Sequence, residues 1–294
     1  MTEQIVKEQW GLPAIAPGYP ASPGLAARRE AMRALDALQI VESSASISEV
    51  QIAGITCIAA APAEARGTFL YLHGGGYRLG EARTWSGLAS RIAAAAGVRV
   101  LVPDYGLAPG KGCSGALAEA LAVYQAVVEA DDGPIFVGGD SAGGGLACSL
   151  VLALLANEAP APQGVVLVSP WLDLNPDADS FDRCAASDAT FSRAAAIEAA
   201  AQYLQGQDPA HPLLSPLRAD LAAFPPCLIA ASATEVLVDH SLQLADRLTR
   251  AGRPCQLTIE TGMPHAWPIL VPAAAETAAL VDATAAFIAR HAGR

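Results

Sequence analysis

Ile135-Phe136-Val137-Gly138-Gly139-Asp140-Ser141-Ala142-Gly143-Gly144-Gly145 decides the reading of this chain. A short apolar run suited to a buried strand ends in glycine, and a serine follows with small residues on both sides. Such a run bends sharply from strand into helix. Side chains larger than hydrogen at positions 139 and 143 would collide, so the serine is held in a strained backbone conformation. Its Oγ then projects at the C-terminal end of the strand, where open α/β sheets place their sites. N–H groups of the helix that begins there, including that of Ala142, face the same spot and favour negative charge. With 26 glycines in the chain, a G-x-S-x-G string arises by chance in roughly one such chain in eight, so the stretch needs a partner.

The partner lies upstream. His73-Gly74-Gly75-Gly76 is expected by chance in only about one such chain in three hundred, and its backbone N–H groups suit a developing oxyanion. A serine nucleophile also needs a base. Of the five histidines, His73 belongs to the glycine loop, His211 to a long insertion, His240 to the first turn of a helix, and His291 lies close to the C-terminus. His265 remains, in the loop Gly262-Met263-Pro264-His265 just after the last expected strand.

A base of this kind needs a carboxylate to fix its tautomer. Thr234-Glu235-Val236-Leu237-Val238-Asp239 follows the preceding strand, with Glu235 nearest the strand end. Asp239 is the alternative, although four residues on it reads more simply as a carboxylate at a helix N-terminus. The order serine, acid, histidine differs from that of trypsin-like and subtilisin-like enzymes. These residue types point to acyl transfer to water, with no metal or organic cofactor required. Tyr77, just after the glycine loop, and Trp85 are candidates for the wall of a substrate pocket.

Working outward, short apolar runs recur at Thr68 to Leu72, Val98 to Val102, Pro134 to Val137, Val165 to Val168, Cys227 to Ala231 and Gln256 to Ile259. Between them lie Ala- and Leu-rich segments of helical length, near 85–96, 116–130, 142–157, 239–251 and 274–291. The β-α rhythm predicts one mostly parallel sheet covered on both faces. Ahead of it, Ser46 to Ala61 reads as a hairpin turning at Gly54, and residues 25–39 as an amphipathic helix. The interval 175–224 breaks the rhythm with many Asp and Pro residues and one clear helix near 192–204. Insertions of that length are usually functional lids, so this one and the N-terminal helix are expected to cap the site together.

The 294 residues are 52% apolar and 16% charged, with a net charge of -11. Phosphate binding needs clustered Lys and Arg, so nucleic acid and anionic membranes are poor partners and a small neutral or weakly polar molecule is favoured. Six cysteines without C-x-x-C or metal-ligand spacing read as small buried hydrophobes in a reducing compartment. Met1 to Trp10 lacks the pattern of a signal peptide, and no unbroken apolar stretch spans a bilayer. A soluble, cytoplasmic protein is expected.

His73-Gly74-Gly75-Gly76, Asp104-Tyr105 with Leu107-Ala108-Pro109, Gly139 to Gly144, Ser169-Pro170-Trp171 and the two C-terminal loops resemble the hormone-sensitive-lipase family of bacterial carboxylesterases, from about residue 45 onward. The resemblance implies an α/β-hydrolase fold with an eight-stranded, mostly parallel sheet, helices on both faces and a small helical cap. It divides the chain into a cap segment 1–45, a catalytic domain 46–174 and 225–294, and a cap insertion 175–224. It also implies a Ser141-Glu235-His265 triad, an oxyanion hole from Gly75, Gly76 and Ala142, and short-chain esters as substrates. Lactones, carbamates or amides could be served by the same triad. A non-catalytic receptor on this fold, as in the plant gibberellin receptors, would lack the base histidine that is present here. The last strand and final helix are candidate edges for a homodimer. Three departures stand out: glycine at positions 106 and 110 where the family carries charges, glutamate where the acid is usually aspartate, and Met263-Pro264 ahead of the base.

Overall fold

The computed structural model describes residues 23–130 and 133–293. Its strands are β1 (Ser46–Ile52), β2 (Ile55–Ala61), β3 (Thr68–Leu72), β4 (Arg99–Pro103), β5 (Ile135–Asp140), β6 (Gly164–Val168), β7 (Cys227–Ser232) and β8 (Cys255–Glu260). They form one sheet in the order β1-β2-β4-β3-β5-β6-β7-β8. The first two strands form the expected hairpin, with Ala53 and Gly54 both at positive φ in the turn. β2 pairs antiparallel with β4, and every later pairing is parallel. Strand β5 runs on to Asp140 because its last residues still pair, Gly139 with Leu72 and Asp140 with Val168. That carries it directly to the serine.

Alternation of side chains along the strands splits the interior in two. Phe69, Tyr71, Val100, Val102, Phe136, Val166 and Leu228 face one side, where α2 (Ser86–Ala96) and α8 (Ala275–His291) cover them. Leu70, Leu72, Leu101, Val137, Val165, Leu167 and Ile229 face the other, under α3 (Cys113–Ala130), α4 (Ser141–Ala156) and α7 (Val238–Arg250). Full burial of one such side chain contributes about 1.5 to 3 kcal/mol, so the sheet is a stiff frame for loops at its C-terminal edge. Every residue of α4 from Ser141 to Leu154 is buried, as befits a helix that is small or apolar all round.

Two further segments lie outside this repeat. Helix α1 (Leu25–Arg33) continues into a 3₁₀ turn, Ala34–Leu38, within the amphipathic stretch expected there. The part of the expected cap segment at 1–22 lies outside the described residues. The insertion 175–224 holds the expected helix as α6 (Arg193–Leu204) and also a one-turn helix, α5 (Ser180–Arg183). Ser192 caps α6, its Oγ accepting from the Ala195 N–H at 3.2 Å. Phe181, Ala196, Ala199, Tyr203 and Leu214 of the insertion pack into the same core cluster as α3 and α4.

Among the described residues no helix is long and apolar enough to cross a membrane. The cysteines are unpaired, and all but the half-buried Cys255 are fully buried.

Candidate active site

Strand β5 delivers Ser141 into helix α4 at φ 51°, one of few non-glycine residues with a left-handed backbone. The elbow is crowded by backbone alone. A Cβ on Gly139 would lie 2.3 Å from the Leu72 carbonyl oxygen, and one on Gly143 would lie 2.0 Å from that same oxygen. Glycine at both positions is therefore a steric requirement of the turn, which lets helix α4 pass directly behind the end of β3. The neighbouring strand end locks the turn further, because the Trp171 N–H donates to the Ser141 carbonyl at 2.9 Å.

Ser141, Glu235 and His265 come from the chain just after β5, β7 and β8, at the C-terminal edge, and converge. The Ser141 hydroxyl donates to His265 Nε2 at 2.8 Å. The opposite ring nitrogen, Nδ1, donates to Glu235 Oε2 at 2.9 Å. All three side chains are buried. Burial lowers the pKa of the imidazole, but the hydrogen bond and charge of Glu235, with the charges of Asp188 and Asp140, outweigh it and leave the group above its ordinary value. The acid and base loops are also tied to each other: Ser232 Oγ and Thr234 Oγ1 both donate to the Met263 carbonyl, at 2.6 and 3.0 Å.

Asp239 has a different task. It accepts from the Ser180 N–H at 2.8 Å and pairs with Arg183, so it fastens α5 to the start of α7. The remaining histidines also sit elsewhere in the fold. His240 accepts from the Leu172 N–H, His211 from the Leu213 N–H, and His291 is buried against Phe287.

Gly75 and Gly76 both have positive φ, 112° and 61°. A Cβ on Gly75 would meet the Leu79 carbonyl oxygen at 2.2 Å, because that loop folds back so that Arg78 and Leu79 donate to the Gly75 carbonyl. The N–H groups of Gly75 and Gly76 find no acceptor among the described residues. Ala142 stands in the first turn of α4, where helix N–H groups have no intrahelical partner.

His73 braces the glycine loop rather than acting on a substrate. Its Nδ1 donates to the Gly74 carbonyl at 2.8 Å, and its ring stacks on Tyr105 and packs against Trp85. Burial lowers its pKa to about 4, which keeps it neutral. Asp140 completes the brace: its Oδ1 accepts from the Gly74 N–H at 3.1 Å and from Trp85 Nε1 at 2.7 Å. Burial raises this carboxyl to about 6, against the lowering effect of those hydrogen bonds.

A cleft of about 250 Å³ opens onto Ser141 and His265. Gly75, Gly76, Leu79, Trp85 and Asp140 line it from the sheet side, and Ile269 and Leu270 from the loop after His265. Met32 and Leu35 reach it from the N-terminal helical segment, Thr190, Phe191 and Ala195 from the insertion. Trp85 thus stands where the sequence put it. Tyr77 does not. Its φ of 60° turns the side chain into the core, where it is buried and stacks on Tyr203 with ring centroids 3.6 Å apart. The next residue, Arg78, lines the cleft instead.

Sequence reasoning passed over Asp188, which it saw only as one acid among many in the insertion. Asp188 Oδ1 accepts from the N–H groups of Thr190 and Phe191, and its Oδ2 from that of Val236, all at 2.9 Å. It pins the segment carrying Phe191 to the loop of Glu235. The Phe191 ring lies parallel to that of His265 at 5.8 Å. The D-x-T-F spacing of an Asx turn was the available signal. The loop with glycine at 106 and 110 is braced from neighbouring elements. Glu119 accepts from the Gly106 N–H and pairs with Lys111, and Arg29 donates to the Ala108 carbonyl.

Comparison with known proteins agrees with this fold. A profile of the alpha/beta hydrolase fold family matches residues 69–269. An acetyl-hydrolase of Streptomyces hygroscopicus is 35% identical over 223 residues, covering 75% of this chain and 75% of that protein. The carboxylesterase NlhH of Mycobacterium tuberculosis is 34% identical over 224 residues, 70% of this chain and 69% of its own. Among solved structures, an esterase from the bacterial hormone-sensitive lipase family superposes with a TM-score of 0.88 at 31% identity, covering 99% of this chain and 97% of that one.

Proposed function

The chain belongs to the hormone-sensitive-lipase family of carboxylesterases in the α/β-hydrolase superfamily, and from that premise we propose that it hydrolyses short- to medium-chain acyl esters through an acyl-enzyme on Ser141. The observation that carries the reading is the continuous line of hydrogen bonds from Ser141 Oγ through His265 to Glu235. In the proposed cycle the Ser141 oxygen attacks the ester carbonyl while its proton passes to His265 Nε2. Glu235 holds the other nitrogen protonated and stabilises the imidazolium that forms. The oxyanion is received by the N–H groups of Gly75, Gly76 and Ala142, each worth about 2.7 to 4 kcal/mol of barrier. His265 returns the proton to the departing alcohol, then takes one from water, whose oxygen attacks the acyl carbonyl and frees Ser141.

The described part of the N-terminal segment and the insertion act as the cap over this cleft. A volume of about 250 Å³ lies just below the usual range of ligand pockets, roughly 300 to 1,000 Å³, which favours short acyl chains. Hydrolysis of p-nitrophenyl butyrate tests the reading. Ser141→Ala is expected to lower kcat/KM by at least about 10⁴-fold. A variant that keeps a tenth of the wild-type rate would show that the nucleophile lies elsewhere.

A further inference from the structure

Arg78 carries a charge into the cleft that the proposed ester chemistry leaves unused. Its side chain is only 4% exposed, yet it lines the cavity that opens onto Ser141. Its Nε would stand 3.9 Å from a Cβ placed on Gly76, so the guanidinium lies alongside the loop proposed to hold the oxyanion. Among the described residues its ion-pair partner is Glu198, with Nη1 3.1 Å from Oε1. Both oxygens of Glu198 are already engaged by Arg28, at 3.0 and 2.8 Å. One carboxylate serves two guanidinium groups.

The hydrogen-bonding account of Arg78 is also incomplete. Its buried Nε has no hydrogen-bond acceptor among the described residues, and there its Nη1 meets only the Glu198 oxygen that Arg28 already engages. Donors withdrawn from water without an acceptor are costly, most of all on a charged group. Burial lowers the pKa of this guanidinium, with Glu198 opposing and Arg28 adding to the effect, but arginine stays protonated in proteins. Asp140 is spoken for by Gly74 and Trp85 and Glu235 by His265, so neither of these acids answers the charge. Besides Arg28 and Thr190, the wall holds Met32, Leu35, Leu79, Phe191 and Ile269, apolar side chains that would strengthen an ion pair formed there.

We infer that Arg78 recognises an anionic group on the substrate, and that esters bearing a carboxylate a few bonds from the scissile carbonyl are preferred over neutral esters of the same size. The inference rests on the esterase reading above. A carboxylate offers two coplanar oxygens to the planar fork of N–H donors, a match that a lysine ammonium does not provide. The carboxylate supplies the acceptor that the buried Nε lacks.

Two matched pairs of esters test it. p-Nitrophenyl hemiglutarate against p-nitrophenyl valerate places the charge on the acyl side. 4-(Butyryloxy)benzoate against its methyl ester places it on the alcohol side. In wild type the ratio of kcat/KM, charged over neutral, is expected to exceed about ten in one pair, and that pair identifies the side. Arg78→Met should bring this ratio down to about one whatever happens to the absolute rates, with Arg78→Lys between the two. A wild-type ratio of one or less in both pairs would overturn the inference. So would a ratio in the favoured pair that Arg78→Met leaves unchanged, since Arg78 would then only clamp α6 to the glycine loop. Turnover of the neutral esters by wild type reports separately on the esterase reading, which fails only if neither is cleaved.

Discussion

The floor of the cleft and its walls are built by different means. The floor, from Gly75 and Gly76 to Ser141, Glu235 and His265, sits on the segments that leave the ends of β3, β5, β7 and β8, and its geometry is dictated locally. Glycine is required at 139 and 143 by backbone atoms within 2.3 Å of any added Cβ. The walls join elements far apart in sequence, as when Arg28 of α1 grips Glu198 of α6 across 170 positions. Floor residues should therefore control the rate for every ester alike, and wall residues the choice among esters.

The sharpest way to break this contrast is the acid. Glu235→Gln leaves the shape of the loop but favours the wrong tautomer of His265, so kcat should fall by about 10⁴-fold for every ester. A loss confined to some esters would place Glu235 on the wall side of the comparison. Next comes the glycine loop. Gly75→Ala forces a Cβ against the Leu79 carbonyl at a φ of 112°, displacing a proposed oxyanion donor. A fall in kcat of about 10²- to 10³-fold is expected, and steady-state kinetics showing only a rise in KM would contradict it.

A smaller effect sharpens the electrostatics of the floor. Neutral imidazole is the working base, and Glu235 helps raise the His265 pKa above its ordinary value, about 6.5. Activity is therefore complete above that raised pKa and is lost as pH falls through it. A pH profile of kcat/KM should show its acid limb above about 6.5 in wild type and lower in Glu235→Gln, where only the charges of Asp188 and Asp140 still oppose burial. A profile flat from about pH 5 to 8 would contradict a histidine base.

The smallest effect belongs to Asp239, which holds α5 through the Ser180 N–H and the exposed Arg183. Asp239→Asn should lower Tm by about 2 °C and change kcat/KM by less than about threefold. If it proves more damaging to turnover than Glu235→Gln, the two acids have been assigned the wrong way round.

The same division explains what could be read from the sequence. Strands, crossovers and the Ser141 elbow were legible because they depend on short patterns: apolar runs, glycine at fixed offsets, and loop residues counted from strand ends. The wall was not. Tyr77 was assigned to it by adjacency to the glycine loop, but one left-handed residue turned that ring toward Tyr203, 126 positions on, and presented Arg78 instead. Asp188 and Phe191 were equally hidden, since their place depends on where a long insertion lands against the Glu235 loop. Local rules fix a backbone turn, whereas a side chain's partners across the fold follow from packing that no local pattern encodes.

The central claim is that Ser141 is a nucleophile activated by His265, and one measurement addresses it directly. The protein is treated with a fluorophosphonate probe, and the site of covalent attachment is mapped by peptide mass spectrometry. The account predicts one adduct per chain, on Ser141, formed far more slowly in His265→Ala. An adduct on another residue, or labelling of Ser141 at an undiminished rate without the imidazole, would contradict it.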